Sequence, residues 1–145
     1  RFHMKPKFEY FDHEADIGIV GYGRNLEEAF EQGAKAMFNI MADINTIKCE
    51  RKVDIEVRAN DKEALFIEWL NELLARKDIE GMLFSEFDVR IEEKGNMLVL
   101  KGIAKGEKIN YEKHRVDIEV KAATYSQLKI EKIDGMWKVQ CVVDV

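Results

Sequence analysis

The stretch "FEYFDHEADIGIVGYGRNLEEAFEQGAKAMFNIM", residues 8–41, reads as a strand, a polar bend, a second strand and a helix. Phe8 to Asp12 and Ile17 to Tyr22 are rich in β-branched and aromatic residues, which suit a pleated, half-buried surface. The pattern then changes period. Asn25 can cap a helix, with Glu28 three residues on as the second half of a capping pair. From there Leu26, Ala29, Phe30, Gly33, Ala34, Met37, Ile40 and Met41 recur at helical spacing, one apolar stripe lasting to about Asp43. A strand pair followed by a single one-sided helix calls for a sheet that the helix covers on one face.

Outward from this block the pattern repeats. Lys52 to Arg58 reads as a strand, and Asn60 with Glu63 repeats the helix-start signal. Phe66, Trp69, Leu70, Leu73 and Leu74 form the second stripe, which Gly81 ends. Phe84 to Glu93 and Met97 to Lys105 flank the turn Lys94-Gly95-Asn96. Ile118 to Tyr125, Gln127 to Ile133 and Met136 to Val143 follow, the last two joined by Asp134-Gly135, a strong hairpin signal. The charged segment 105–117 reads as a surface loop or a short edge. The expected fold is α+β: mixed or antiparallel sheet layers covered by two amphipathic helices, in a single domain spanning 4–145. Arg1-Phe2-His3 reads as a non-native leader, with Met4 as the natural start.

Composition narrows the function classes. The 145 residues are 46% hydrophobic and 35% charged, the balance of a globular protein with a core of its own. No apolar run approaches the ~20 residues of a membrane helix, and nothing reads as a secretory signal. Cys49 and Cys141 lack metal-type spacing and are expected to be reduced cytoplasmic thiols. A net charge of −5 offers no basic face for phosphates, so strong direct nucleic-acid binding is not expected.

Three places carry potential chemistry. Asp12-His13-Glu14-Ala15-Asp16 is a dense polar cluster between two strands. Hard divalent cations take several oxygen ligands, which such a bend can supply, though its spacing fits no EF-hand and a solvated acidic turn accounts for it equally. The second place is the chain end, "VQCVVDV". Trp137, Val139, Cys141 and Val143 hold the apolar parity, so Asp144 projects with Lys138 and Gln140 from the other face, beside the α-carboxylate of Val145. The third is Lys121, set by period 2 opposite Ile118, Val120, Ala122 and Thr124. No nucleophile elbow, P-loop or dinucleotide fingerprint is present. A metal-dependent hydrolase ranks last, because no substrate pocket or base is advertised.

Four blocks carry a resemblance. "FDHEADIGIVGYGRNLEEAFEQGAKAMFNIM" resembles the opening of the archease family, whose signature is D-H-T-A-D-(I/V), a glycine-containing strand and the helix "LEEAFE". "WLNELL", "VKAATYSQLKI" and the terminal "VVDV" resemble further blocks in the same order, so the likeness covers Phe8 to Val145. Glu14 departs from the threonine of the signature. The resemblance implies a non-catalytic accessory protein of an RtcB-type RNA ligase in tRNA splicing, one that promotes ligase guanylylation and multiple turnover. It implies a divalent cation, Ca²⁺, on Asp16, Asp144 and Val145. Asp12, Glu14, Asp16 and Asp144 would then lie within reach of one another, their repulsion offset by the cation or by Lys121. It also implies a role in ligase activation for Lys121, with His13 and Asp12 of the signature. The alternative it carries is a chaperone-like partner of a tRNA cytosine methyltransferase.

Overall fold

The structure, a computed structural model, describes residues 7–116 and 118–145. The reading of Arg1–His3 and Met4 lies outside the described residues. Strands β1 (Phe8–His13) and β2 (Asp16–Gly23) precede helix α1 (Leu26–Met41). Strand β3 (Arg51–Ala59) leads into helix α2 (Lys62–Glu80), followed by β4 (Met82–Lys94) and β5 (Met97–Lys108). A single helical turn, α3 (Tyr111–His114), comes before β6 (Ala122–Ala123), β7 (Lys129–Ile133) and β8 (Met136–Asp144).

All strand pairs are antiparallel, in two sheets. The first runs β1-β2-β8-β6, with β7 also paired to β8; the second runs β3-β5-β4. The α+β architecture expected from the pattern is therefore present. The core lies between the two helices and the inner sheet faces, where Phe30, Phe38, Phe66, Trp69 and Phe84 are fully buried. Trp69 donates its indole N–H to the Phe30 carbonyl at 3.1 Å, which ties α2 to α1 without an orphaned donor in the core.

The caps are mostly where the pattern put them. Asn25 Oδ1 accepts from Glu28 N at 2.9 Å, and Glu28 reaches back to the Arg24 N–H at 3.0 Å. The second helix starts one residue later than expected. Asp61, not Asn60, accepts from Ala64 N at 2.7 Å, because β3 continues through Ala59 before the chain turns. Gly81 ends α2 with φ 62°, a left-handed conformation that a residue without Cβ adopts at no steric cost.

At Gly21 the fold needs the absence of a side chain for a different reason. A Cβ there would lie 2.4 Å from Gly33 N and 2.5 Å from Ala29 O, both main-chain atoms of α1. Helix and sheet meet there by backbone contact, and backbone cannot step aside as a side chain can. Gly21→Ala is expected to destabilise by about 2–3 kcal/mol, a Tm fall of roughly 5–10 °C in a thermal melt.

Two segments differ from expectation. Residues 118–125 do not form one strand: only Ala122–Ala123 pair in the ladder, Ile118 is 41% exposed, and Val120 and Ala123 are buried. Ile118, Val120 and Ala122 thus do not share a buried face. Of 105–117, β5 takes residues to Lys108, and α3 lies at the surface with Tyr111, Glu112 and Lys113 exposed, only His114 turning inward; Asp117 lies outside the described residues.

His114 anchors α3 through a buried polar cluster. His114, with its side chain inaccessible, accepts the Asn110 N–H on Nδ1 at 3.0 Å, so Nε2 carries the proton donated to Glu107 at 2.9 Å. Glu107 also accepts from Lys113 Nζ at 2.6 Å and from Lys48 N at 2.9 Å. Burial pushes its carboxyl upward, but these three donors outweigh burial and bring it from 4.5 down to about 2. Its contribution to stability is therefore complete above about pH 4.5 and lost as pH falls toward 2. In urea titrations Glu107→Gln should be less stable than the parent at pH 7, and the gap should close through that acid window.

Candidate functional site

The β1–β2 hairpin turns tightly at Glu14-Ala15, with His13 and Asp16 as its closing pair and Glu14 at φ 55°. Partners across this ladder share a face. Asp12 pairs with Ile17, on the α1 side of the sheet, whereas His13 and Asp16 lie on the opposite, outer face. Asp12 is exposed and His13 half-buried.

Strand β8 brings the chain end to this hairpin. Ile17 pairs with Val143, so Asp144 emerges beside Asp16 at the same end of the sheet. The terminus does not fray: the Val145 N–H donates to Asp16 Oδ1 at 3.2 Å, and its side chain packs against the core. Asp16, Asp144 and Val145 are all half-buried. The apolar parity of β8 is as expected at Val139, Cys141 and Val143, which are fully buried, whereas Trp137 is half-buried and Val142 on the opposite face is also buried. Burial pushes the Cys141 thiol up to about 12, so it stays protonated and unreactive.

Lys121 arrives by a route that alternation did not indicate. Strand β6 lies directly against β8, with Ala122 opposite Asp144, and the Lys121 N–H donates to the Asp144 carbonyl at 2.8 Å. The Lys121 side chain is exposed. Holding this segment in place is Asn71 on α2, a residue that the sequence pattern gave no reason to single out. Its side chain accepts the Ala123 N–H at 2.8 Å and donates to the Ala123 carbonyl at 3.1 Å. Asn71 thus completes both main-chain bonds on the open edge of β6, as another strand would. The only local signal was a polar residue interrupting the run "WLNELL".

The structure thus gathers Asp16, Asp144, Val145 and the Lys121 main chain at one sheet end. It does not add Asp12 and Glu14 to them. Among the described residues no three His, Cys, Asp or Glu side chains converge as a group that could hold a metal. The expected gathering of four acidic side chains is accordingly not found, for Asp12 is turned to the other face and Glu14 stands exposed at the turn. What remains is an all-oxygen donor set of two side-chain carboxylates and the terminal group. Its chemistry fits a hard cation such as Ca²⁺, with most of the 6–8 ligands left to water or a partner.

If Val145 supplies a cation ligand, as the family resemblance implies, extending the chain beyond this half-buried residue must move that ligand. A short polar tag there should weaken Ca²⁺ binding several-fold in calorimetry, whereas the same tag before Phe8 should leave it unchanged. Equal binding by both tagged forms would rule out a terminal ligand.

Comparison with known proteins places this geometry in context. A family model described as "Archease protein family (MTH1598/TM1083)" matches residues 8–145. The protein named "Protein archease" of Pyrococcus furiosus is 46% identical over 140 residues, covering 96% of this chain and 99% of its own. Its namesake in Methanosarcina mazei is 40% identical over 140 residues, with 96% of each chain covered. The solution structure of Methanobacterium thermoautotrophicum protein 1598 superposes with a TM-score of 0.85 at 41% identity, covering 96% of this chain and 99% of that one. No described helix is long and apolar enough to cross a membrane.

Proposed function

The chain belongs to the archease family, and from that premise we propose that it is a non-catalytic activator of an RtcB-type RNA ligase in tRNA splicing. The observation that carries the reading is the pinned chain end. The Val145 N–H is held by Asp16, Asp144 follows Val143 in the strand paired to Ile17, and the Lys121 peptide is bonded to Asp144. Two carboxylates and a terminal oxygen group beside an exposed lysine form a compact, charged platform. A frayed terminus would offer none.

Asp16, Asp144 and Val145 would hold the divalent cation, which would supply fixed positive charge between neighbouring carboxylates. The protein's own part is positional. The Val145 N–H orients one oxygen of Asp16, the β2–β8 ladder sets the spacing to Asp144, and Asn71 fixes the strand edge from which Lys121 extends. An exposed ammonium at that edge can reach a phosphate or an acidic group on the ligase. His13, on the same face as Asp16, is a further polar group toward the partner. The reading takes the site to be cytoplasmic, where tRNA-processing ligases act.

Ligase, GTP and metal should be mixed with and without this protein, and the covalent ligase–guanylate followed with time. Faster and repeated guanylylation is the expected result. No change in either overturns the reading, and protection of a tRNA methyltransferase from aggregation in the same preparation would favour the chaperone-like alternative.

A further inference from the structure

Strands β6 and β7 share one edge of β8, the edge opposite β2. β6 is only Ala122–Ala123, and a ladder of that length does little to hold its own register. Its pairs end at Ala123 with Val143, and those of β7 begin at Lys129 with Gln140. Thr124 to Leu128 therefore have only Cys141 and Val142 opposite them, so the chain carries surplus length here, as at a bulge. A surplus can be taken up in more than one way, and a shift by one residue would carry the neighbouring side chains to the other face of the sheet. One hydroxyl closes the interruption. Thr124 Oγ1 donates to the Val142 carbonyl at 2.8 Å and accepts the Ser126 N–H at 3.2 Å. The same carbonyl accepts the Thr124 N–H at 3.0 Å, and the Val142 N–H donates to the Ser126 carbonyl at 3.0 Å. The hydroxyl thus directs its proton to β8 and a lone pair to the surplus segment. At the far end of that segment Gln140 donates its side-chain amide to the Gln127 carbonyl at 2.9 Å.

We propose that Thr124 is a positioning residue for Lys121: its hydroxyl fixes the register in which β6 meets β8, and with it the place from which Lys121 extends. The inference rests on the function proposed above. Before β6 the Lys121 N–H is bonded to the Asp144 carbonyl, and after β6 Thr124 is bonded to Val142. These two ties hold the edge of β6 that meets β8, as Asn71 holds the opposite edge at Ala123. Removing the hydroxyl has a small structural cost. The Val142 carbonyl keeps the Thr124 N–H, and Ser126 is exposed, so its N–H can turn to water. What goes is the tie between β8 and the surplus segment. Val143, the residue before Asp144, keeps its place through the β2–β8 ladder. Loss of position and loss of stability are therefore separable at this residue.

Thr124→Val keeps the β-branched shape without the hydroxyl, and Thr124→Ser keeps the hydroxyl without the methyl. In amide hydrogen exchange of the whole protein alone, the Lys121 N–H of Thr124→Val should exchange about tenfold faster or more, with the amides of β2 unchanged. Ligase guanylylation should slow by about tenfold, because a small misplacement of an acting group is costly in rate. Ca²⁺ binding should stay at the parent level and the melting temperature fall by only a few degrees. Thr124→Ser should restore both exchange and rate. Gly21→Ala, less stable but remote from this edge, should keep the parent rate at a temperature where every variant is folded. Parent-like exchange at Lys121 in Thr124→Val overturns the proposal, whatever the rate. So does a Thr124→Ser as slow as Thr124→Val, which would take the hydroxyl out of the cause. An equally slow Gly21→Ala overturns it as well, since the loss of rate would then follow stability alone. If the unaltered protein does not stimulate the ligase, the proposed function fails, and exchange at Lys121 still decides whether the hydroxyl sets the register.

Discussion

Asp16→Ala should abolish Ca²⁺ binding in calorimetry and remove the stimulation of ligase guanylylation, while the protein stays folded. Asp16 is half-buried at a strand end, and its side chain's structural duty is to accept the Val145 N–H. Losing that bond costs on the order of 1 kcal/mol, a Tm change of a few degrees in a chain of this size. For the cation the loss is far larger. One of only two side-chain carboxylates disappears, and the N–H that oriented the terminal residue loses its acceptor. Asp16→Asn separates the two effects, because an amide oxygen can still accept the Val145 N–H but carries no charge. Stability close to the parent, with cation binding still lost, is the result expected of that exchange. Unchanged Ca²⁺ affinity in either variant would sink the assignment of Asp16 as a ligand.

The second large effect is expected at Lys121. Its main chain is pinned to Asp144, but its side chain is exposed and absent from the core. Lys121→Ala should cost no more than about 0.5 kcal/mol and leave Ca²⁺ binding intact, yet slow ligase guanylylation by at least an order of magnitude. Lys121→Glu should be worse, adding a fourth negative group beside Asp16, Asp144 and the terminus. Asn71→Ala supplies the contrast. It removes two hydrogen bonds from the edge of β6, about 2 kcal/mol together, so melting temperature and activation should fall together. Parallel losses in the Lys121 variants would make that side chain structural. No loss in either variant would make it an ordinary surface lysine.

The residues most distant in sequence are the ones whose meeting was hardest to foresee. In the sequence, Lys121 and the acidic chain end are separated by the 127–133 strand. They meet because β6 bypasses β7 and pairs with β8 itself. Period-2 alternation misassigned the faces of 118–121, because those residues are not in a ladder and Ile118 points out while Val120 is buried. Likewise Glu107 and His114 read as surface charge. A carboxylate and an imidazole are tolerated in the interior only when each finds its partners, and sequence spacing does not display those partners.

What the amino-acid sequence determined by itself is whatever depends on neighbours a few residues apart. Asn25 over Glu28 starts α1, the stripe from Leu26 to Met41 chooses its buried face, and Gly81 ends α2. Asp134-Gly135 sets the β7–β8 turn, with φ values of 53° and 80°. The alternation Trp137 to Val143 decides which side of β8 carries Asp144. These are one-dimensional signals, since capping, helical spacing and turn sterics are complete within about four residues. Only the tertiary structure decided that Asp16 meets Val145 across the whole length of the chain, or that Asn71 closes the edge at Ala123, 52 positions away. A strand edge accepts any partner with a donor and an acceptor at the right spacing. Its identity is settled by where packing of the helices against two sheets brings such a group, and no local pattern encodes that.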